Sequence, residues 1–349
     1  MKKIILNFSC WALIALFFVG CDGDKPSTTN TTQESTDNTI GKTGILAIDQ
    51  LTDLIAENPN DPKLYATRAK AFYENDGYDN AILDMASAMK IDSTNADYHH
   101  LLADIYLDYS KSRLALQTMK RCVALHPDRI PSLLKLAEFQ QILKQYDASM
   151  ATIAKVMRAE PNNPEGFFMI GLNHVLMGNK QMASKNLQKC VDIDPEHTDA
   201  FVLLGKIFDE DDSPLAAQYF ENAVQTDPDN PDVLYNQASY LHNHDKLEKA
   251  KTILKKIAQL DKSYANAYQR LGIIYIEQDS IKTANANFNI AVKVDPTFGL
   301  AYYYRGYTAE QMGDFQAAVN DYQNILNFDP DYERAKVGLA RAKKALANK

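Results

Sequence analysis

Seven dipeptides keep time along this 349-residue chain: Asn58-Pro59, His126-Pro127, Glu160-Pro161, Asp194-Pro195, Asp227-Pro228, Asp295-Pro296 and Asp329-Pro330. Asp92-Ser93 and Asp261-Lys262 stand at the two beats that lack proline. Every step is 34 residues, except one of 33 between Pro195 and Pro228. A period of this length, held through most of a chain, restricts it to repeat architectures. In these no unit buries its apolar face alone, and each neighbour supplies part of the core. Proline ends each unit because it cannot donate to a helix ladder and disfavours helix in the residue before it.

Counted from the third residue after each beat, the units are 62–95, 96–129, 130–163, 164–197, 198–230, 231–264, 265–298 and 299–332. Their fourth position is large: Tyr65, His99, Leu133, Phe167, Phe201, Leu234, Tyr268 and Tyr302. The eighth is tiny: Ala69, Ala103, Ala137, Gly171, Gly205, Ala238, Gly272 and Gly306. The twentieth is small again: Ala81, Ala115, Ser149, Ala183, Ala216, Ala250, Ala284 and Ala318. Position twenty-four is large: Met85, Met119, Ile153, Leu187, Phe220, Leu254, Phe288 and Tyr322. Small residues at matching positions let two helices of one unit approach closely, and large ones fill the space to the next pair. Gly272 is expected to face Ala284 in this way.

This pattern resembles the tetratricopeptide repeat. The resemblance implies an all-α, right-handed superhelix (an α-solenoid) of about eight repeats over residues 62–330. A half-repeat helix at 44–61 and a capping helix at 333–349 would close its ends. His99 at a core position, with Gln140 and His174 at the usually aromatic eleventh, predicts looser packing in units two to four. Cys122 and Cys190 both fall at position twenty-seven, two units apart. Several helix spacings separate them, too far for a disulfide, so both are expected as free buried thiols.

The N-terminus reads differently. Lys2 and Lys3 precede an apolar run from Ile4 to Val19, which is short for a transmembrane helix and laid out like a secretory signal. Its end, Phe18-Val19-Gly20-Cys21, resembles a bacterial lipoprotein box. The resemblance implies cleavage after residue 20, a diacylglyceryl thioether on Cys21 and acylation of its new amine, together a lasting membrane anchor. Residues 22–43 hold twelve Ser, Thr, Asn or Gln and one aliphatic residue, Ile40. Such a segment cannot offset its ordering entropy, so 21–43 is expected to be a disordered tether. The outer membrane is expected rather than the inner, facing the periplasm or the cell surface. Asp22 acts as a retention signal only under one sorting rule.

Chemistry is scarce in the sequence. The formal charge of −8 becomes −10 when Lys2 and Lys3 leave, which argues against nucleic acid and against a polybasic membrane patch. Ser87-Ala88-Met89-Lys90, Ser93-Thr94-Asn95 and Lys42-Thr43-Gly44 resemble the triplets of penicillin-binding enzymes. Their order is wrong, since the Lys-Thr-Gly triplet should come last and on a strand. His99-His100 and His242/His244 lack metal-ligand spacing and read as solvated helix residues. The acidic run Asp209-Glu210-Asp211-Asp212 lacks the glycine and spaced ligands of a calcium loop. No catalytic residue, metal or cofactor is expected, and an enzyme is the weakest of the functional readings.

Function then falls to a surface. The tetratricopeptide resemblance implies that the first helices line a concave groove through positions two, five, nine and twelve. The apolar residues at these positions are Leu134, Phe168, Leu172, Val175, Val202, Tyr235, Ile273, Ile276, Tyr303 and Tyr307. They would form a channel rimmed by Asp104, Asp199, Asp209, Asp232 and Glu310. The clamp by which some relatives hold a carboxylate tail is replaced here by Ala66/Lys70, His100/Asp104 and Leu134/Glu138. The expected partner is a protein, held as a peptide or helix in the groove, with the membrane reached through the lipid and homo-oligomerisation left open. An adaptor or scaffold in envelope assembly or secretion is the leading expectation, ahead of a subunit of a polysaccharide-export apparatus.

Overall fold

A computed structural model describes residues 42–348; the signal-like segment, Cys21 and the polar stretch to Gly41 lie outside it. Helix α1 (Leu46–Glu57) stands alone, and eight pairs follow it: α2 (Pro62–Glu74) with α3 (Tyr78–Ile91), α4 (Ala96–Asp108) with α5 (Ser112–Leu125), α6 (Ile130–Ile142) with α7 (Tyr146–Ala159), α8 (Pro164–Leu176) with α9 (Lys180–Ile193), α10 (Thr198–Glu210) with α11 (Leu215–Thr226), α12 (Pro231–Asn243) with α13 (Leu247–Leu260), α14 (Ala265–Glu277) with α15 (Ile281–Val294), and α16 (Gly299–Gln311) with α17 (Phe315–Phe328). Helix α18 (Glu333–Ala347) closes the array. No strand occurs among the described residues.

Local chemistry sets the boundaries. Proline is the first residue of α2, α8 and α12 and the second of α6, where its missing N–H costs nothing. The side chains of Asp61, Asn95, Asn163 and Asn230 accept hydrogen bonds from first-turn amides at 2.8–3.0 Å. Two residues beyond each first helix, at position fifteen, stands a residue with positive φ: Asp76, Ser110, Lys144, Gly178, Asp212, Asp245, Asp279 and Gly313. The amide after it donates back to the carbonyl of position eleven, as Gly77 does to Phe72 at 2.8 Å, so that the chain reverses into the second helix. Asp212, the last of the acidic run, is thus a turn residue. The missing residue of the fifth unit is taken from the start of α11, which has 12 residues where the other second helices have 14. At the N-terminus, Thr43 and Gly44 donate to the Asp49 carboxylate, so Lys42-Thr43-Gly44 is the lead-in to α1.

Within each unit the eighth position meets the twenty-fourth. A Cβ on Gly272 would lie 2.6 Å from the Phe288 ring, so its wall is Phe288 rather than Ala284, one turn further along α15. The same relation holds through the array. Glycine at position eight faces Leu187, Phe220, Phe288 and Tyr322, and alanine stands in the units with Met85, Met119, Ile153 and Leu254. All three aromatic residues at position twenty-four face glycine. Volume is thus traded between the two helices in most units; Gly171 with Leu187 is the exception, a methyl smaller than Ala238 with Leu254.

Units two to four carry buried polar groups in their cores. His99 is fully buried, and its Nε2 lies 3.0 Å from the Ser93 carbonyl oxygen. Thr152 donates to Gln140 Oε1 at 2.8 Å, Ser149 to the Ala137 carbonyl, and Asn173 to Ser149 Oγ at 3.0 Å. Gln141 donates to the Met169 carbonyl at 2.8 Å. At Gln140 a hydrogen bond stands where the eleventh position usually carries an aromatic ring, whereas His99 Nδ1, His174 Nδ1 and Asn173 Oδ1 are buried without a protein partner. Cys122 and Cys190 are buried free thiols.

Two ion pairs mark the ends of the array, the first buried and the second partly so. Arg68 donates from Nε and Nη2 to Asp84 at 2.8 and 2.7 Å, and from Nη1 to Thr52 of α1. Arg305 repeats this with Asp321 at 2.9 and 2.6 Å, its Nη1 reaching Asn289 of the preceding unit. Burial raises the pKa of both aspartates and the facing guanidinium pulls it back. The intervening units place leucine, isoleucine or glutamine where these arginines stand.

Candidate functional site

The curvature of the array follows from which helices touch between units. Successive first helices approach one another, α2 with α4, α4 with α6, α6 with α8, α10 with α12 and α14 with α16. No two second helices of neighbouring units approach comparably. The first helices therefore form the inner, concave layer and the second helices the outer one.

The ten apolar residues assigned to the groove divide by register. Those at position five pack inward: Val202 belongs to a buried cluster at 8% exposure, and Leu134, Phe168, Tyr235 and Tyr303 pack against such clusters. Phe168 lies on the His197 ring at 4.5 Å, and Tyr303 meets Tyr322 and Tyr332, each at 6.0 Å. Phe168, Tyr235 and Tyr303 reach His197, Tyr264 and Tyr332, each just before the next first helix, so position five seals the joint between units. Positions nine and twelve differ. Val175 packs inward, but Leu172, Ile273, Ile276 and Tyr307 are partly exposed and lie outside the buried clusters. The continuous channel expected from sequence is therefore corrected to two patches. Leu172 stands apart from the strip of Ile273, Ile276 and Tyr307 because Lys206 and Ser239 hold position nine between them.

Rim acids are mostly engaged by neighbouring units. Lys135 donates to Asp104 at 2.7 Å, Tyr264 to Asp232 at 2.7 Å, and His244 lies 2.6 Å from Asp209. Glu310 takes the Tyr322 hydroxyl at 2.7 Å and both Nε and Nη2 of Arg341 from α18. Asp199 is exposed. Burial lowers the Lys206 pKa, with Asp232 and Asp199 opposing, and burial raises that of Glu138 against the pull of Lys135.

The histidines read as solvated in the sequence are structural joints. Arg270 stacks on Tyr235 and donates to His242 Nδ1 at 3.2 Å; that ring then holds its proton on Nε2 and donates to Glu277 at 2.9 Å. His100 Nε2 lies 2.9 Å from Ser132 Oγ beside Arg129, and burial, with Lys135 and Arg129, lowers its pKa to about 4. Among the described residues no group of three or more His, Cys, Asp or Glu is placed to hold a metal ion. Missing from the sequence reading was a set of bonds 35 residues apart that stitch the C-terminal ends of successive first helices: Tyr73 to Asp108, Asp209 to His244, and His242 to Glu277. Only the register of position twelve against thirteen or fourteen could have revealed it.

The chain is an all-α tetratricopeptide superhelix, an architecture that serves in general as a non-catalytic protein-interaction scaffold. Tetratricopeptide repeat models match residues 164–197, 208–271 and 270–342. Among solved structures it is similar to the anaphase-promoting complex hetero-tetramer Cut9-Hcn1, with a TM-score of 0.56 and 14% identity, over 84% of this chain and 58% of that one. The type IV pilus assembly protein PilF of Pseudomonas aeruginosa is 25% identical over 134 residues, 38% of this chain and 53% of PilF. A DnaJ homolog subfamily C member 7 homolog of Dictyostelium discoideum is 20% identical over 201 residues, 58% of this chain and 34% of that protein. The chain thus spans about a third to a half of the length of these curated relatives.

Proposed function

We propose that this chain is a lipid-anchored scaffold of a bacterial cell envelope, held at the outer membrane through Cys21, that grips a partner protein on its concave face during envelope assembly or secretion. The observation that carries the partner site is the strip of Ile273, Ile276 and Tyr307, apolar side chains on the inner layer that the fold itself leaves partly uncovered. Apolar groups left in water on a concave surface favour an interface, and tyrosine is a frequent anchor there. Similarity to a pilus assembly protein supports an assembly role. The anchor rests on the pattern Phe18-Val19-Gly20-Cys21 and the polar residues behind it.

Cys21→Ser tests the anchor. The variant should leave the membrane fraction for the soluble one and stop incorporating labelled fatty acid. Label retained on the variant would end the lipoprotein reading. Polysaccharide-export components co-purifying with the native protein, in place of pilus or secretion proteins, would redirect the envelope role to export.

A further inference from the structure

The described array begins and ends on half units. Helix α1 has the register of a second helix: Ile48 and Ile55 are its buried residues, and Ala47, Leu51 and Leu54 stand at positions twenty, twenty-four and twenty-seven. Helix α18 has the register of a first helix. Ala335 is buried at position three, as Ala267 and Ala301 are, and α18 packs on α17 and α16 as α16 packs on α15 and α14. Among the described residues, α1 has no first helix to pair with and α18 no second.

Two seam faces are bare in consequence. All eight complete units bury positions eight, twenty and twenty-four. Ala340 and Ala47, at positions eight and twenty of the half units, are exposed, and Leu51 at twenty-four is half-exposed. Leu54 is 44% exposed and Leu46 72%, more than any other large apolar side chain among the described residues. The sequence before α1 is too polar to cover this face. Thr31 and Ser35 fall at positions four and eight of the absent first helix, and Ile40 is the only aliphatic residue from 22 to 41. Charge distinguishes the two ends. Helix α1 carries Asp49, Asp53 and Glu57 and no base, whereas α18 carries five bases and one acid, Glu333. Some of this charge is engaged: Asp49 by the amides of Thr43 and Gly44, Lys336 by Glu333, and Arg341 by Glu310. Glu57, Arg334, Lys343 and Lys344 have no ion-pair partner among the described residues, and Asp53 has only the exposed Lys42 at 3.4 Å.

We propose that α18 of one copy docks on α1 of a second, the two half units completing one tetratricopeptide unit between them. Ala340 then stands against Leu51, the combination that Ala238 and Leu254 already make in the core of unit six. The free bases of α18 meet the free acids of α1, whereas α1 against another α1 would set acid against acid. Lys336 holds position four, where the complete units carry an aromatic ring or leucine, so this joint is weaker than those within the chain. The stem of Lys336 can lie along Leu54 with its ammonium in water. The contact is heterologous, so copies add head to tail and the inner layer runs on from one copy into the next.

The test is disulfide cross-linking of the purified chain, with copper phenanthroline as oxidant and the parent chain as the background of native thiols. Positions eight and twenty-four touch in the complete units, close enough for a disulfide. Leu51→Cys mixed with Ala340→Cys should give about tenfold more dimer than Leu51→Cys mixed with Lys255→Cys, a site on the exposed outer face of α13. A single chain carrying both Leu51→Cys and Ala340→Cys should give a ladder of longer products. Dimer yield should fall as salt rises, and fall about tenfold when the Ala340→Cys partner also carries Lys343→Glu and Lys344→Glu. It should return when the Leu51→Cys partner carries Asp53→Lys and Glu57→Lys. All four charged sites are exposed, so the melting midpoints should stay near that of the parent. A mixture that cross-links no better than the Lys255→Cys control would overturn the proposal. Leu51→Cys alone giving as much dimer as the mixture would also overturn it, and would assign the bare face to a second α1.

Discussion

Replacing Asp84 by alanine should destabilise the fold by about 3–5 kcal/mol, the range expected when one partner of a buried ion pair is removed. Arg68 is 4% exposed, and without Asp84 its guanidinium keeps one partner, Thr52. Burial already raises the Asp84 pKa despite the facing arginine, so the pair gains little over apolar packing and is costly mainly when broken. The chain contains its own replacement. Leu136 and Thr152 occupy the same two positions in the third unit, where the threonine hydroxyl also donates to the carbonyl of Ala148 one turn back. Arg68→Leu combined with Asp84→Thr should therefore recover most of the loss. Urea melts followed by circular dichroism measure both variants. In a solenoid each unit leans only on its neighbours, so hydrogen exchange should rise in α1 to α4 and hardly at all beyond α8. A double variant as unstable as Asp84→Ala would show that the pair does something leucine and threonine cannot.

Gly272→Ala should cost about 1–3 kcal/mol, because the new methyl would sit 2.6 Å from the fully buried ring of Phe288. The effect should depend on the partner. Phe288→Leu alone should also destabilise, by leaving a cavity beside the glycine. Together the two changes reproduce Ala238 with Leu254, the pair already present one unit earlier. The double variant should be more stable than the sum of the single losses allows, with a coupling of about 1 kcal/mol or more between residues in contact. Strict additivity would mean that positions eight and twenty-four do not share one space, and the register of the repeats would be wrong.

How far the molecule could be read from its sequence varies with the kind of residue. Core positions were legible because burial repeats with the unit: a tiny residue at position eight and a bulky one at twenty-four recur eight times. Gly272 still faces Phe288, not Ala284, because recurrence gives the positions that touch a helix seam and leaves open which pair makes the contact. At the groove, sequence gave the inner face but not its joints. Val202, Tyr235 and Tyr303 share the concave side with Ile273 and Tyr307, yet position five is spent on sealing one first helix to the next. Polar joints such as Arg270 to His242 to Glu277 depend on side-chain directions across two units, which no period encodes.

The central claim, that a partner protein is held on the inner layer at units seven and eight, is tested most directly by site-specific photocrosslinking in living cells. A photoreactive phenylalanine analogue would replace Tyr307 on the concave strip or, in a second strain, Lys255 on the exposed outer face of α13. The account predicts one discrete covalent adduct from position 307 that is absent from position 255. Adducts from 255 with none from 307 would contradict it.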